Sequence, residues 1–176
     1  EVTFECEPGT LSEPKVHTIR DLGVTRLSLG VENFNDKILE ENGRAHLSAE
    51  VDQAWQWIQA AQFPNVNIDL MFALPEQTFD QAMDDLDQGL ALGSEHLSWY
   101  QLTLEPNTEF YSRPPQLPND DYLWEIYCQG ADYLHQQGFT DYEVSAWSRP
   151  DMESRHNLNY WMFGDYLALG AGAHRS

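Results

Sequence analysis

Val66-Asn67-Ile68-Asp69-Leu70-Met71-Phe72-Ala73-Leu74-Pro75-Glu76-Gln77-Thr78 is the stretch from which the rest of the chain can be read. Val66, Ile68, Leu70 and Phe72 fall on one face of an extended segment, and Asn67, Asp69 and Met71 fall on the other. The alternation ends at Pro75, and Thr78 stands as an N-cap before a helical run, so the stretch predicts strand, turn and helix. An acid in the middle of such a strand is costly unless it meets water, a partner or a ligand. Asp69 either pairs with a neighbouring strand or points into a cavity. The cavity is preferred, because the same pattern occurs in two earlier segments.

Those segments are Val2-Thr3-Phe4-Glu5 and Arg26-Leu27-Ser28-Leu29-Gly30-Val31-Glu32. The first runs into the turn Pro8-Gly9-Thr10 and a helix from about Ser12 to Leu22, closed by Gly23. After the second come a short helix near Asn35–Glu41, then Gly43-Arg44, then a helix from about Ser48 to Gln62 with Ser48 as its N-cap. Thr78 to about Leu92 is helical, and His96–Leu102 is a fourth strand. Strand and helix alternate, which predicts a parallel sheet with right-handed crossovers. Three strands have one apolar and one polar or small face, so a barrel or half-barrel with a polar lumen fits better than a flat sheet covered on both sides. Beyond Leu102 a proline-punctuated loop leads to a helix over Asp120–Gln136 and a short strand over Thr140–Ser145. The expected division is a partial βα barrel over 1–104 and the remaining barrel or C-terminal region over 105–176.

The chain has 176 residues, with 29 Asp plus Glu against 9 Lys plus Arg and a net charge of −20. Such a surface repels nucleic acid and anionic membrane, and it suits a medium in which salt screens its self-repulsion. Cys6 and Cys128 are far apart and outside any CxxC spacing, which points to a reducing, cytoplasmic setting and to no cysteine metal site within this chain. No run of 18 apolar residues and no leader pattern is present. A chain that opens in mid-strand without methionine reads as part of a longer one.

Working residues of parallel βα barrels lie at the C-terminal ends of the strands. That rule brings Glu5, Glu32 and Asp69 to one rim, with Arg44 reaching in from the loop after Glu32. Three acids and one arginine suit a ligand with an amine, hydroxyls or a sulfonium, and a carboxylate for the arginine. Residue chemistry leaves two readings open: a carboxylate pair for acid–base or glycosyl hydrolysis on a TIM-like scaffold, or a site for a small zwitterion or nucleoside.

A family resemblance favours the second, with the carboxylate-pair hydrolase kept as a further alternative. Glu5-Cys6-Glu7-Pro8-Gly9-Thr10, Arg26 to Phe34, Gly43-Arg44-Ala45-His46, Asn67 to Gln77, Leu97 to Thr108 and His156-Asn157-Leu158-Asn159-Tyr160-Trp161 resemble, in order and spacing, the radical S-adenosylmethionine proteins related to oxygen-independent coproporphyrinogen III oxidase. They are most similar to its haem-chaperone branch. The resemblance implies a partial TIM-like (β/α) barrel of the radical SAM type, truncated at its N-terminus, holding a [4Fe–4S] cluster and S-adenosylmethionine. It also implies haem binding and transfer to acceptor proteins, with oxidative decarboxylation of coproporphyrinogen III as the alternative. The family's S-adenosylmethionine contacts fall on Glu5, Glu32, Arg44 and Asp69, and His156 is a candidate haem contact.

The departures from the family pattern carry chemical weight. Glu32 stands where the family has Gln, Glu7 where it has Asn, Cys6 where it has Ala, and Ser154 where many relatives have Cys. The family's CxxxCxxC motif is not in the sequence, so no cluster and no radical chemistry are expected of this chain alone. His17, His46, His96 and His135 look unpatterned. Trp55, Trp57, Trp99 and Trp124 are expected to pack, Cys6 to be a small buried hydrophobe, and His174 to end a strand.

Overall fold

In the computed structural model, which describes residues 1–170, the first four strands are parallel: β1 (Thr3–Cys6), β2 (Arg26–Glu32), β3 (Asn65–Phe72) and β4 (His96–Gln101). They are joined by α1 (Glu13–Asp21), then α2 (Asp36–Glu41) with α3 (Ser48–Ala61), then α4 (Phe79–Ala91). The predicted α/β architecture is present, and strand order follows chain order through β4. Further along lie the short helix α5 (Glu109–Ser112), α6 (Asp120–Gln136), β5 (Thr140–Asp141), β6 (Ala146–Ser148) and α7 (Arg155–Trp161). β6 pairs antiparallel with β4, and β5 pairs antiparallel with β6, giving one six-stranded sheet. No helix among the described residues is long and apolar enough to cross a membrane.

The two faces of the strands divide as their alternation predicts. Leu27, Leu29 and Val31 of β2, Ile68, Leu70 and Phe72 of β3, and Leu97 and Trp99 of β4 form the main core with Val51, Ala54, Trp55 and Ile58 of α3 and Leu86 of α4. The opposite parity carries Ser28, Asn67, Asp69, His96 and Ser98, which the register places side by side: Ser28 opposite Asn67, Asn67 opposite His96, Asp69 opposite Ser98. A smaller apolar cluster of Ile38, Met71 and Leu74, with Tyr100 and Leu102 against it, sits toward the C-terminal ends of the strands.

Three expectations need correction. Ser48 is not the cap of α3 but its first residue. The cap position is Leu47, whose side chain accepts nothing, and two other carboxylates hold the helix start: Asp36 of α2 accepts from the Ser48 N–H at 2.8 Å, and Glu50 in the first turn of α3 accepts from the Leu47 N–H at 2.9 Å. The strand expected over Thr140–Ser145 is a hairpin, pairing only at Thr140–Asp141 and Ala146–Ser148. Its turn residue Tyr142 sends its hydroxyl to the His96 ring, and Ala146 and Trp147 are buried where no core was foreseen. Trp124 is 65% exposed, stacked on Tyr127 at the surface, while Trp55 and Trp99 are core residues. The Thr78 N-cap is present, with Thr78 accepting from the Gln81 N–H and Gln81 accepting from the Thr78 N–H.

Candidate functional site

Glu5, Glu32 and Asp69 line a single cavity of about 440 Å³ at the C-terminal ends of β1 to β4, together with Cys6, Glu7, Ser28, Gly30 and Tyr100. Four carboxylates and no cation form this wall. Gly30 leaves the room, since a Cβ there would stand 3.1 Å from a Glu7 oxygen. A larger cleft of about 580 Å³ lies between Glu41 at the end of α2, Asn42, Pro75, Phe110 of α5 and Pro115. The acid-lined cavity is the chemically distinctive one.

Glu32 reaches the cavity by a route that strict alternation does not give. The β2–β3 pairing shifts between Gly30 and Glu32, so Gly30 pairs with Asp69 and Glu32 with Leu70, leaving Val31 extra. Such a bulge re-aims a side chain. Glu32 itself has a φ of 66°, a left-handed backbone that costs a non-glycine residue about 1 kcal/mol or more and gathers at functional sites. Its Oε2 accepts from the Tyr100 hydroxyl at 2.6 Å, and its Oε1 lies 3.5 Å from Arg44 Nη2. Arg44 also stands 3.7 Å from Glu7, whose other oxygen is 3.4 Å from His46 Nδ1; His46 Nε2 lies 3.0 Å from the Val31 carbonyl. Burial pushes the Glu32 carboxyl up from its ordinary range against the pull of Tyr100 and Arg44. The bond to His46 holds Glu7 down, and Glu7 with the Val31 carbonyl raises His46 despite the burial that opposes it.

Asp69 is held by its own face of the sheet. Its Oδ1 accepts from the Asn67 amide at 2.7 Å and its Oδ2 from the Ser28 hydroxyl at 2.9 Å. Burial raises its pKa, while Ser28, Asn67, the nearby Ser98 hydroxyl and the Arg26 charge pull it back. Cys6, beside it, is half-buried, donates to the Ser28 carbonyl and is pushed up to about 12 by desolvation and then by Asp69, so it stays a thiol. Cys6 packs against the core but is only half-buried and lines the cavity, so it is not the fully buried hydrophobe expected.

His156 lies elsewhere. α7 docks at the N-terminal ends of the strands: Glu1 accepts from the Arg155 and His156 N–H groups, Asn65 donates to the Met152 carbonyl, and Arg149 N–H donates to the Glu95 carbonyl. The His156 ring stands edge-on to Tyr166 at 4.7 Å, beside an exposed apolar run that includes Tyr160, Trp161, Met162 and Phe163. Ser154, where the family resemblance led to an expectation of Cys, is fully buried and caps α7 by accepting from the Asn157 N–H. His174 lies outside the described residues. Residues the sequence reading did not single out are Ser28, His46, His96, Tyr100 and Tyr142. The first four share the parity or loop of predicted site residues, a signal that was available; Tyr142 gave none.

The cofactor expectations separate on these observations. A four-carboxylate wall with one arginine at its edge fits the cationic sulfonium and the hydroxyls of S-adenosylmethionine. A [4Fe–4S] cluster does not fit residues of this chain: it needs at least three thiolates, the sequence has two cysteines, Cys6 is half-buried and protonated, and no His, Cys, Asp and Glu grouping suited to a metal ion occurs among the described residues. An exposed imidazole flanked by aromatic rings is compatible with a porphyrin face.

Comparison with known proteins agrees with the fold. The model of the radical SAM superfamily matches residues 1–88, half of the chain. A protein of Haemophilus influenzae named heme chaperone HemW is 46% identical over 174 residues, which cover 99% of this chain and 45% of that protein. Its namesake from Escherichia coli is 45% identical over 99% of this chain and 46% of its own length. The chain therefore spans about half the length of the curated relatives it matches. Among solved structures, coproporphyrinogen III oxidase (HemN) from Escherichia coli, a radical SAM enzyme, superposes with a TM-score of 0.82 at 21% identity, over 99% of this chain and 44% of that one.

Proposed function

This chain belongs to the radical SAM superfamily, and from that premise we propose that it is the part of a haem-handling protein that holds the nucleoside and sulfonium end of S-adenosylmethionine. The single observation that carries the reading is the convergence of Glu5, Glu32 and Asp69 on one cavity, with Arg44 bound to Glu32 at its edge. Bound there, S-adenosylmethionine supplies a cationic sulfur centre. Glu5 and Asp69 accept from ligand hydroxyl or amine protons. Tyr100 and Arg44 keep Glu32 in place and hold its carboxyl from drifting further toward neutrality, so that it can face the positive sulfur. Arg44 is shared between Glu32 and Glu7 and can turn to a ligand carboxylate.

Haem is the proposed cargo rather than a reactant, and its contact is the α7 face around His156, at the other end of the strands from the cavity. The relatives named heme chaperones and the exposed aromatic run beside an exposed imidazole support that assignment. Haem-accepting proteins are then the partners, and a cytoplasmic setting suits the cysteine usage.

One pair of titrations tests the reading on the purified 176-residue chain. S-adenosylmethionine binding, followed by calorimetry, is expected to be weak and to fall about tenfold in Asp69→Asn, the loss of one charge-assisted contact of about 1.4 kcal/mol. Haem added to the same protein is expected to give a stoichiometric Soret shift that Asp69→Asn keeps and His156→Ala loses. A folded chain that binds neither ligand overturns the proposal.

A further inference from the structure

A buried column of hydrogen bonds runs through the polar face of the sheet, and every donor in it points toward Asp69. At its lower end the Ser154 N–H and the Asn157 amide donate to the Tyr142 hydroxyl oxygen at 3.2 and 3.0 Å. Both lone pairs of that oxygen are used, so its proton goes to His96 Nε2, 2.6 Å away. A ring that accepts at Nε2 carries its proton on Nδ1, and Nδ1 lies 2.6 Å from the Asn67 amide oxygen. The Asp69 carboxylate and the Ser28 hydroxyl, each 2.7 Å from Asn67 Nδ2, take the two amide protons. With this tautomer the amide is held in one orientation, because turning it over would set its oxygen against a carboxylate oxygen and its N–H groups against the Nδ1 proton. The Ser98 hydroxyl at 3.1 Å completes the Asn67 oxygen.

We propose that His96 and Tyr142 are positioning residues for Asp69. Tyr142 fixes the His96 tautomer, His96 fixes the Asn67 amide, and the amide presents its N–H to Asp69 so that the carboxylate keeps both oxygens ready for a ligand proton. The inference deepens the proposed function and rests on its reading of Asp69 as a ligand contact. Arg26 Nη2, 3.4 Å from His96 Nδ1, is a donor and makes no hydrogen bond to a protonated Nδ1; it acts through its charge, and burial with this cation drives the imidazole down to about 3, so the ring stays neutral. The arrangement has one discrete alternative. With the proton on Nε2, the bare Nδ1 faces the Asn67 oxygen, the amide turns over, and Asp69 meets an oxygen where it had a donor. Tyr142 is also the residue that α7 grips, so seating of α7 at one end of the strands is transmitted to the carboxylate in the middle.

The test uses the isotopically labelled 176-residue chain, without any ligand, and reads ring nitrogen shifts of His96 and the carboxyl carbon of Asp69 by NMR from about pH 5 to about pH 8. The titratable groups facing these two are Arg26 and Tyr142 on His96, and Arg26, Cys6, Glu32 and Tyr100 on Asp69. The expected wild-type result is a neutral His96 protonated at Nδ1 throughout. An Nε2–H tautomer, or a ring that charges near pH 6 as a free imidazole does, overturns the proposal. Tyr142→Phe is expected to release the tautomer and raise the Asp69 midpoint by about half a pH unit. Tyr133→Phe, a surface tyrosine bonded to Asp87, is expected to leave both signals alone. Unchanged signals in folded Tyr142→Phe overturn the positioning role, and if that variant does not fold the wild-type tautomer decides. S-adenosylmethionine calorimetry separates the two ideas: no binding with the expected tautomer and Asp69 shift refutes the proposed function and leaves the positioning intact.

Discussion

Glu32 is the residue at which sequence and site pull apart most. The family pattern places an amide there, whereas this chain places a carboxyl on a strained, left-handed backbone, buried against Tyr100. Burial raises its folded-state pKa above the ordinary 4.5. A raised acid favours the fold only while protonated, so its contribution is present below the unfolded value and is lost as pH rises through the folded one. Glu32→Gln keeps the acceptor for Tyr100 and removes the buried charge. It is expected to be more stable than the wild type by about 1 kcal/mol near neutral pH, with the gain vanishing toward about pH 4. Urea unfolding at three pH values measures it, and a constant difference across the range would show that the charge is not the cause. The position of Glu32 on the site was legible from parity, but the bulge that delivers it was not. Parity depends on every residue taking one strand step, and the extra residue Val31 shows itself only through its core partners. His96 was legible in the same way, on the face of Ser98 and Tyr100, yet a lone histidine carries no sign of the tyrosine that orients it from a distant hairpin.

α6 shows how a single residue sets the fit of an element. Trp99 of β4, almost fully buried, lies 4.5 Å from the Phe72 ring and stacks on Tyr127 of α6 at 6.1 Å. Gly130, one turn along, leaves the space its indole occupies: a Cβ there would come within 2.0 Å of the ring. Gly130→Ala gains helix propensity of about 1 kcal/mol and meets a clash that a close-packed core cannot absorb. A net loss of about 1–3 kcal/mol is expected, read as a lower urea midpoint with an unchanged slope. Trp99→Phe in the same background should recover part of it, because the smaller ring withdraws from the new methyl. The elements themselves were largely readable, since helix and strand periods are local properties. α6 spans the predicted Asp120–Gln136, and β3 and α4 follow the predicted strand, turn and Thr78 cap. The failures are non-local. α3 is capped by Asp36 from another helix, and the hairpin at Tyr142 is decided by a hydrogen bond to β4. Neither partner can be named from a window of adjacent residues.

At the scale of the whole molecule, charge is the property that folding does least to balance. Nine basic residues stand against 29 acidic ones, and several of the basic residues are already committed. Arg44 is shared by Glu7 and Glu32, Arg149 pairs with Glu95, Lys37 with Glu41, and Arg26 is buried in the polar column. Most carboxylates therefore face one another across solvent, and their repulsion is relieved by unfolding, which spreads the same charge over a larger volume. Salt should act on this term directly. Raising sodium chloride from about 0.05 M to about 1 M shortens the screening length from beyond 10 Å to about 3 Å, less than the spacing of neighbouring surface charges. The few exposed ion pairs lose little, since each contributes under about 1 kcal/mol at the start. The repulsion, summed over many acids, loses more. The expected net effect is a stabilisation of about 1–2 kcal/mol, a rise in melting temperature of about 3–6 °C for a chain of this size. Sodium chloride is the salt to use, because sulfate would raise stability through exclusion from apolar surface whatever the charge. Calorimetry across the salt series decides it. A melting temperature that stays flat or falls would mean that the acidic residues are already balanced in ways the ion-pair geometry does not reveal, and that the −20 is no burden on the fold.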